Sequence, residues 1–152
     1  MKVLKDDLAL FGRHDVRLRV VGSRAELKPK LVEAIEQAER ATEDNKSGTL
    51  LLCLNYGGHS EIVDAVKQAI GSGVAVEDLS EEVIESNLYA SDVPACDLIV
   101  RTSGEQRLSN FMLWRSAYSE LLFLDKQWPE MDKGDVVPIL EEYARRHRRF
   151  GG

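Results

Sequence analysis

Four short apolar runs alternate along the chain with longer segments whose apolar residues recur every three or four positions. The short runs are typical of buried strands, and the longer segments are typical of amphipathic helices. This alternation favours an α/β domain in which helices flank a parallel sheet. We predict strands at 16–21, 49–54, 97–100 and 120–124, and helices at 2–12, 28–43, 60–71, 80–88, after 109, and at 135–148.

The second predicted strand and the helix that follows it carry more specific expectations. Strand 49–54 is apolar on both faces, which is typical of a central parallel strand. The pair Gly57-Gly58 comes next, and we interpret it as a flexible turn, although glycines can also let a ligand or a backbone come close. The helical periodicity predicts that the following helix turns its larger apolar residues inward, namely Ile62, Val63, Val66 and Ile70.

Length and composition limit the class of protein. The chain has 152 residues, which suggests one domain spanning 1–152, and its 43% hydrophobic and 30% charged residues are those of a soluble globular protein. It has no signal peptide pattern and no apolar stretch near the roughly 20 residues needed to cross a bilayer. Cys53 and Cys96 are interpreted as buried thiols in a reducing cytoplasm. The net charge of -6 argues against a nucleic-acid binder.

The stretch with the most chemistry follows the third predicted strand. Ligand sites of open α/β sheets lie beyond the carboxyl ends of parallel strands, with anions held at the N-terminus of the next helix. Arg101 stands where the strand ends, and Arg107 comes before the predicted helix. A bend at Ser103 and Gly104 would let the two guanidinium groups converge. Ser109 is a natural N-cap for the predicted helix. Two guanidinium groups beside a helix N-terminus would suit a diphosphate, so the residues of this loop predict a diphosphate site.

Two acidic residues leave a second interpretation open. Glu105 and Glu120 would be repelled by a phosphate site unless each pairs with an arginine or holds a divalent cation such as Mg²⁺. Alternatively, Arg101 and Glu105 form an ordinary loop ion pair and Ser109 merely caps a helix. The residues alone allow both interpretations.

Several ordered motifs together resemble a known family. They span nearly the whole chain: Asn55–Gly58, Arg101–Glu105, Arg107–Phe111, Tyr118–Phe123, Trp128-Pro129 and Arg148–Gly152. The set is similar to the signature of cis-prenyltransferases of the undecaprenyl diphosphate synthase type. The resemblance implies a cytoplasmic homodimer that uses Mg²⁺ to condense isopentenyl diphosphate with an allylic diphosphate. It also implies peripheral membrane contact through the lipid product.

The resemblance carries site residues over to this chain. It implies that the isopentenyl diphosphate is held by Arg101, Arg107 and Ser109. It further implies that Arg149 and Gly151 complete the diphosphate site across a dimer interface, and that Glu120 ligates Mg²⁺, through a neighbouring subunit's site if the dimer requires it.

One family motif is missing from this sequence. The family carries an Asp-Gly-Asn-Gly-Arg stretch near its N-terminus, whose aspartate binds the metal, and no such stretch occurs here. The resemblance therefore implies an N-terminally truncated cis-prenyltransferase-like fold, with no catalytic residue of its own and no activity alone. The alternatives are a non-catalytic subunit that dimerises with a complete partner and, more distantly, a binding module for phosphorylated metabolites.

Overall fold

The computed structural model of the chain describes residues 8–146, in which strands and helices alternate. The elements in chain order are α1 (Leu8–Arg13), β1 (Val16–Val21), α2 (Pro29–Ala41), β2 (Gly48–Cys53), α3 (Gly58–Gly71), a 3₁₀ turn (Val76–Asp78), α4 (Glu81–Ser86), β3 (Leu98–Arg101), β4 (Glu120–Phe123), a second 3₁₀ turn (Trp128–Glu130) and α5 (Lys133–Arg145). The predicted α/β class with parallel strands and flanking helices is confirmed.

The four strands form two parallel pairs. β1 pairs with β2, with Val16 opposite Gly48, and β3 pairs with β4, with Arg101 opposite Phe123. Within residues 8–146 no strand joins the two pairs into one sheet. None of the helices in this range is long and apolar enough to pass through a bilayer.

Strand β2 differs from the prediction that both of its faces are buried. Leu50 is 44% exposed and Leu52 is 41% exposed. Both side chains point to the same side of the strand because successive residues alternate between faces. In the described part of the chain β2 is hydrogen-bonded to β1 alone, and the face with Leu50 and Leu52 is only partly covered.

The best-packed part of the core lies between β1 and α2. Leu18, Ile35 and Ala38 are almost completely buried. The Thr42 hydroxyl donates to the carbonyl of Ala38 at 3.0 Å and accepts from the amide of Leu18 at 3.0 Å. The strand is thereby tied to the last turn of the helix. Pro29 occupies the first position of α2, where its missing N–H leaves no bond unmade.

Helix α3 corrects the prediction about its inward face. The helix starts at Gly58, and the residues it buries are Gly58, Glu61, Ala65 and Ala69. Val63 is 50% exposed and Ile70 is 46% exposed. On the buried side, Leu113 packs so closely on Gly58 that a Cβ there would lie 2.8 Å from the leucine Cγ. A small residue therefore suits this side of the helix, while the larger Val63 and Ile70 lie outside.

The helix predicted after Ser109 does not form, so Ser109 is not its N-cap. Residues 109–118 run through a series of turns and bends. Ser109, Asn110 and Met112 have φ angles of 49°, 65° and 47°, in the left-handed region that a right-handed helix cannot contain. The apolar residues of this segment therefore lie in an irregular loop and not on one face of a helix.

Polar side chains cap two of the helices. The hydroxyl oxygen of Ser80 caps α4 by accepting from the amide of Val83 at 3.3 Å. Helix α5 begins two residues before the predicted start, because Asp132 caps it, and Pro138 therefore lies beyond the first turn. The part of the first predicted helix at 2–7 lies outside the described residues.

Candidate functional site

The candidate site lies at the carboxyl end of β3. Arg101 is the last residue of the strand, and its side chain turns back over the loop that follows. One guanidinium nitrogen, Nη1, donates to the hydroxyl oxygen of Ser109 at 2.8 Å and also to the carbonyl oxygen of Arg107. The structure thus brings Arg101 and Ser109 into direct contact, although eight positions separate them in sequence.

The predicted bend between the two arginines is present. Ser103 and Gly104 have φ angles of 75° and 70°. Their amides donate to the carbonyls of Lys126 and Leu124, each at 2.9 Å. The loop is therefore anchored to the chain that leaves β4, beside the end of the strand that carries Arg101.

Glu105 pairs with a different arginine from the one that the ion-pair alternative proposed. Among the described residues, the ion pair of this loop joins Glu105 to Arg107 and not to Arg101. The Arg107 side chain is 63% exposed and that of Glu105 is 40% exposed. Exposed pairs of this kind contribute about 0–1 kcal/mol, so an incoming anion can replace the carboxylate. Arg107 thus offers its carbonyl oxygen to Arg101, while its side chain pairs with Glu105.

The N-terminus of α3 closes the other side of the loop. The amide of Gly58 donates to the Asn110 carbonyl at 2.7 Å, and the amide of His59 donates to the Asn110 Oδ1 at 2.8 Å. A Cβ on Gly57 would lie 2.7 Å from the Asn110 Nδ2. Neither Gly57 nor Gly58 has a positive φ. The interpretation of the pair as a flexible turn is therefore wrong, since both glycines serve close approach.

A buried tyrosine–carboxylate pair lies beneath this contact. Glu61 is 2% exposed, and the hydroxyl of Tyr56 donates to its Oε2 at 2.5 Å. Burial raises the pKa of Tyr56, and the hydrogen bond to Glu61 raises it further. The Tyr56 ring meets Phe111 edge to face, with centroids 5.9 Å apart. The pair was not predicted as part of the site, although its spacing, Tyr-Gly-Gly-x-x-Glu, is a visible signal in the sequence.

A second pair extends the network away from the site. The hydroxyl of Tyr89 donates to a carboxylate oxygen of Asp64, and its ring lies 6.3 Å from that of Tyr56. Burial, followed by the hydrogen bond to Asp64, raises the pKa of Tyr89 to about 12. The two tyrosines hold two turns of α3 against neighbouring loops.

Arg115 anchors the far end of the irregular loop. It is 7% exposed, and its guanidinium donates to the carbonyls of Val93, Tyr89 and Ala90 at 2.5, 2.7 and 3.0 Å. A buried arginine bonded to three carbonyls ties the loop to the segment before β3. Sequence reasoning missed this residue because nothing in its neighbours identifies the partners.

Glu120 lies at the opposite end of the strand pair from Arg101. Glu120 is the first residue of β4, and Phe123, three positions later, stands opposite Arg101. Glu120 and Arg101 are therefore about 10 Å apart along the strand direction. The Glu120 Oε2 accepts from Arg146 Nη1 at 3.2 Å. Within residues 8–146 no three His, Cys, Asp or Glu residues gather in a way that could hold a metal ion. The described residues alone do not fit a complete magnesium site. Arg149 and Gly151 lie outside the described residues.

Comparison with known proteins identifies the family. The family model described as "Putative undecaprenyl diphosphate synthase" matches residues 1–151. An isoprenyl transferase of Thermotoga maritima is 43% identical over 155 residues, covering 100% of this chain and 66% of the relative. A tritrans,polycis-undecaprenyl-diphosphate synthase (geranylgeranyl-diphosphate specific) of Pyrobaculum aerophilum is 45% identical over 144 residues, covering 93% and 60%. The chain thus spans about two thirds or less of the length of these curated relatives.

Solved structures agree with the sequence relatives. Lavandulyl diphosphate synthase from Lavandula x intermedia, in complex with dimethylallyl diphosphate, superposes with a TM-score of 0.93 at 31% identity, covering 99% of this chain and 67% of that one. A probable undecaprenyl diphosphate synthase from Campylobacter jejuni gives a TM-score of 0.90 at 32% identity, covering 99% and 70%. The resemblance drawn from the motifs is confirmed, and the chain belongs to the undecaprenyl diphosphate synthase family of prenyltransferases.

Proposed function

We propose that this chain forms the isopentenyl diphosphate-binding part of a cis-polyprenyl diphosphate synthase, which joins isopentenyl diphosphate to an allylic diphosphate. One observation carries the proposal: the contact of Arg101 with Ser109 at the carboxyl end of β3. An end of a parallel strand is where open α/β folds bind their ligands, and a guanidinium beside a hydroxyl offers several donors to one phosphate group.

The local bonds suggest how the diphosphate is received. Arg101 now donates to a carbonyl and a hydroxyl, both uncharged. A diphosphate oxygen is a stronger acceptor for the guanidinium than either of these, because it is itself ionised and because arginine can give a phosphate group two parallel hydrogen bonds. Arg107 would exchange the exposed carboxylate of Glu105 for the same ligand. The two cations would then neutralise the diphosphate that stays on the isopentenyl substrate while the allylic diphosphate departs.

Other parts of the proposal depend on groups outside the described residues. We propose Mg²⁺ as cofactor, with Glu120 as one carboxylate ligand after it leaves Arg146, and with further ligands from substrate oxygens, water or another segment. Arg149 and Gly151 are proposed to complete the diphosphate site across a homodimer interface. We further propose a cytoplasmic location, which agrees with the free thiols of Cys53 and Cys96. The polyprenyl product would bring the protein into peripheral contact with a membrane.

A second candidate is a non-catalytic subunit of a heteromeric cis-prenyltransferase. Arg101 and Ser109 favour the first candidate, since a purely structural subunit has no use for a diphosphate site. Under both candidates the chain by itself is expected to show no prenyl transfer.

Calorimetric titration of the chain with isopentenyl diphosphate tests the site. Arg101→Ala should weaken binding about ten- to a hundredfold, because a hydrogen bond to a charged group contributes about 1.5–3 kcal/mol. Arg40→Ala is the matched control, since Arg40 is an exposed helix arginine, 62% exposed, that pairs with Glu36. Unchanged affinity in Arg101→Ala, or a wild-type chain that does not bind the ligand, would refute the assignment.

A further inference from the structure

The segment that carries Ser109 has a backbone that most residues avoid. Ser109, Asn110 and Met112 are all in the left-handed region. Asparagine visits that region more readily than other non-glycine residues, whereas serine and methionine do so at an energetic cost. Such a conformation persists only when the surroundings hold it in place. The contacts around residue 110 therefore decide whether Ser109 stays beside Arg101.

Asn110 is bonded to two amides of one helix end. Its carbonyl accepts from Gly58 at 2.7 Å, and its side-chain Oδ1 accepts from His59 at 2.8 Å. These are the first two amides of α3, which have no acceptor within the helix. Asn110 thus serves as a cap for a helix that lies 51 positions away in sequence.

The helix end is shaped to receive this residue. A Cβ on Gly57 would lie 2.7 Å from the Asn110 Nδ2, which is too close for any other side chain at that position without a shift. On the next residue of the loop, the ring of Phe111 rests edge to face on Tyr56, which is itself bonded to the buried Glu61. The contact with Asn110 is therefore one part of a packed arrangement on a rigid element.

We propose that Asn110 is a positioning residue for the diphosphate site. It acts through Ser109, its neighbour in sequence, whose hydroxyl oxygen is the acceptor for Arg101. When the bond from His59 to the Asn110 side chain is lost, the left-handed turn opens more often and Ser109 leaves Arg101. Apparent affinity falls in proportion to the fraction of molecules that keep the competent arrangement. This inference rests on the proposed function, since it concerns the same site.

Two substitutions separate the contributions of the side chain. Asn110→Ala removes both the acceptor and the tolerance for a positive φ, and should weaken isopentenyl diphosphate binding roughly tenfold in calorimetry. Asn110→Gly keeps the backbone conformation and removes only the acceptor, so its loss should be smaller, roughly threefold to fivefold. Asn87→Ala is the matched control, since Asn87 caps the end of α4 through Val83 and is remote in sequence from the loop.

A coupling measurement distinguishes positioning from general loop stability. If Asn110 acts through Ser109, the affinity loss caused by Asn110→Ala should shrink to less than half, in logarithmic units, in a Ser109→Ala background. Circular dichroism and thermal melting check that each variant is folded; if Asn110→Ala is not, Asn110→Gly takes its place in the comparison. Affinity within twofold of wild type in the folded variant, or losses that simply add, would overturn the positioning role. A wild-type chain without affinity would instead refute the diphosphate site, and the positioning role with it.

Discussion

Replacing Gly58 with alanine probes the contact on which the site depends. The added Cβ would lie 2.8 Å from the Leu113 Cγ and 3.0 Å from the Leu113 amide nitrogen. Crowding of this kind costs about 1–3 kcal/mol, because the neighbour must move. Gly58 does not have a positive φ, so alanine brings no backbone strain and can even gain up to about 1 kcal/mol from helix propensity. The net expectation is a loss of about 1–2 kcal/mol in the free energy of unfolding.

The same helix supplies the matched control. Gly71 is the last residue of α3, and a Cβ built on it has nothing within 4 Å. Gly71→Ala should therefore leave stability unchanged or raise it by up to about 1 kcal/mol. Urea denaturation followed by circular dichroism gives both free energies from the midpoint and the slope. If Gly58→Ala is as stable as Gly71→Ala, the close packing of Leu113 on the helix end is refuted.

Two further predictions concern charge. The pKa of Tyr89 is raised to about 12 in the folded protein, so the native state keeps a proton that the unfolded state begins to lose near pH 10. The free energy of unfolding should therefore fall as the pH rises from about 10 to 12. In urea titrations at alkaline pH, Tyr89→Phe should make this fall less steep. If stability falls equally steeply in the variant, the pair of Tyr89 with Asp64 is not the source of the pH dependence. Glu105→Gln frees Arg107 from its ion pair and should tighten isopentenyl diphosphate binding by up to about fivefold, which corresponds to the contribution of an exposed ion pair. The control Glu36→Gln, on a helix surface, should leave binding unchanged. Weaker binding in Glu105→Gln would show that the carboxylate assists the site.

The strands were predictable because their signal is local. All four were located within one residue of their observed positions, from short apolar runs alone. The helix faces were not equally predictable. In α3, the stripe with Val63 and Ile70 and the stripe with Ala65 and Ala69 both have helical spacing, and hydrophobicity favoured the wrong one. The side that turns inward is the one on which Leu113 packs closely against Gly58.

The candidate site was predicted in part. Arg101 and Ser109 were selected from the order of strand, polar loop and apolar segment, and the structure brings them together. The same order predicted a helix after Ser109, which three left-handed residues prevent. Glu105 was predicted to pair with Arg101 in one of the two interpretations, whereas in the structure it pairs with Arg107. A chemical type can be recognised from sequence, but a partner cannot when two candidates lie a few residues apart.

Sequence by itself determined the α/β class, the strand positions, the family motifs and the residue types of the site, because each depends on neighbours along the chain. Tertiary structure alone decided that Asn110 caps α3, that Tyr56 is bonded to the buried Glu61, and that Glu120 lies at the other end of the strand pair from Arg101. These contacts join distant segments through distances of a few ångströms. Such distances depend on the register and packing of whole elements, which no local pattern of residues specifies.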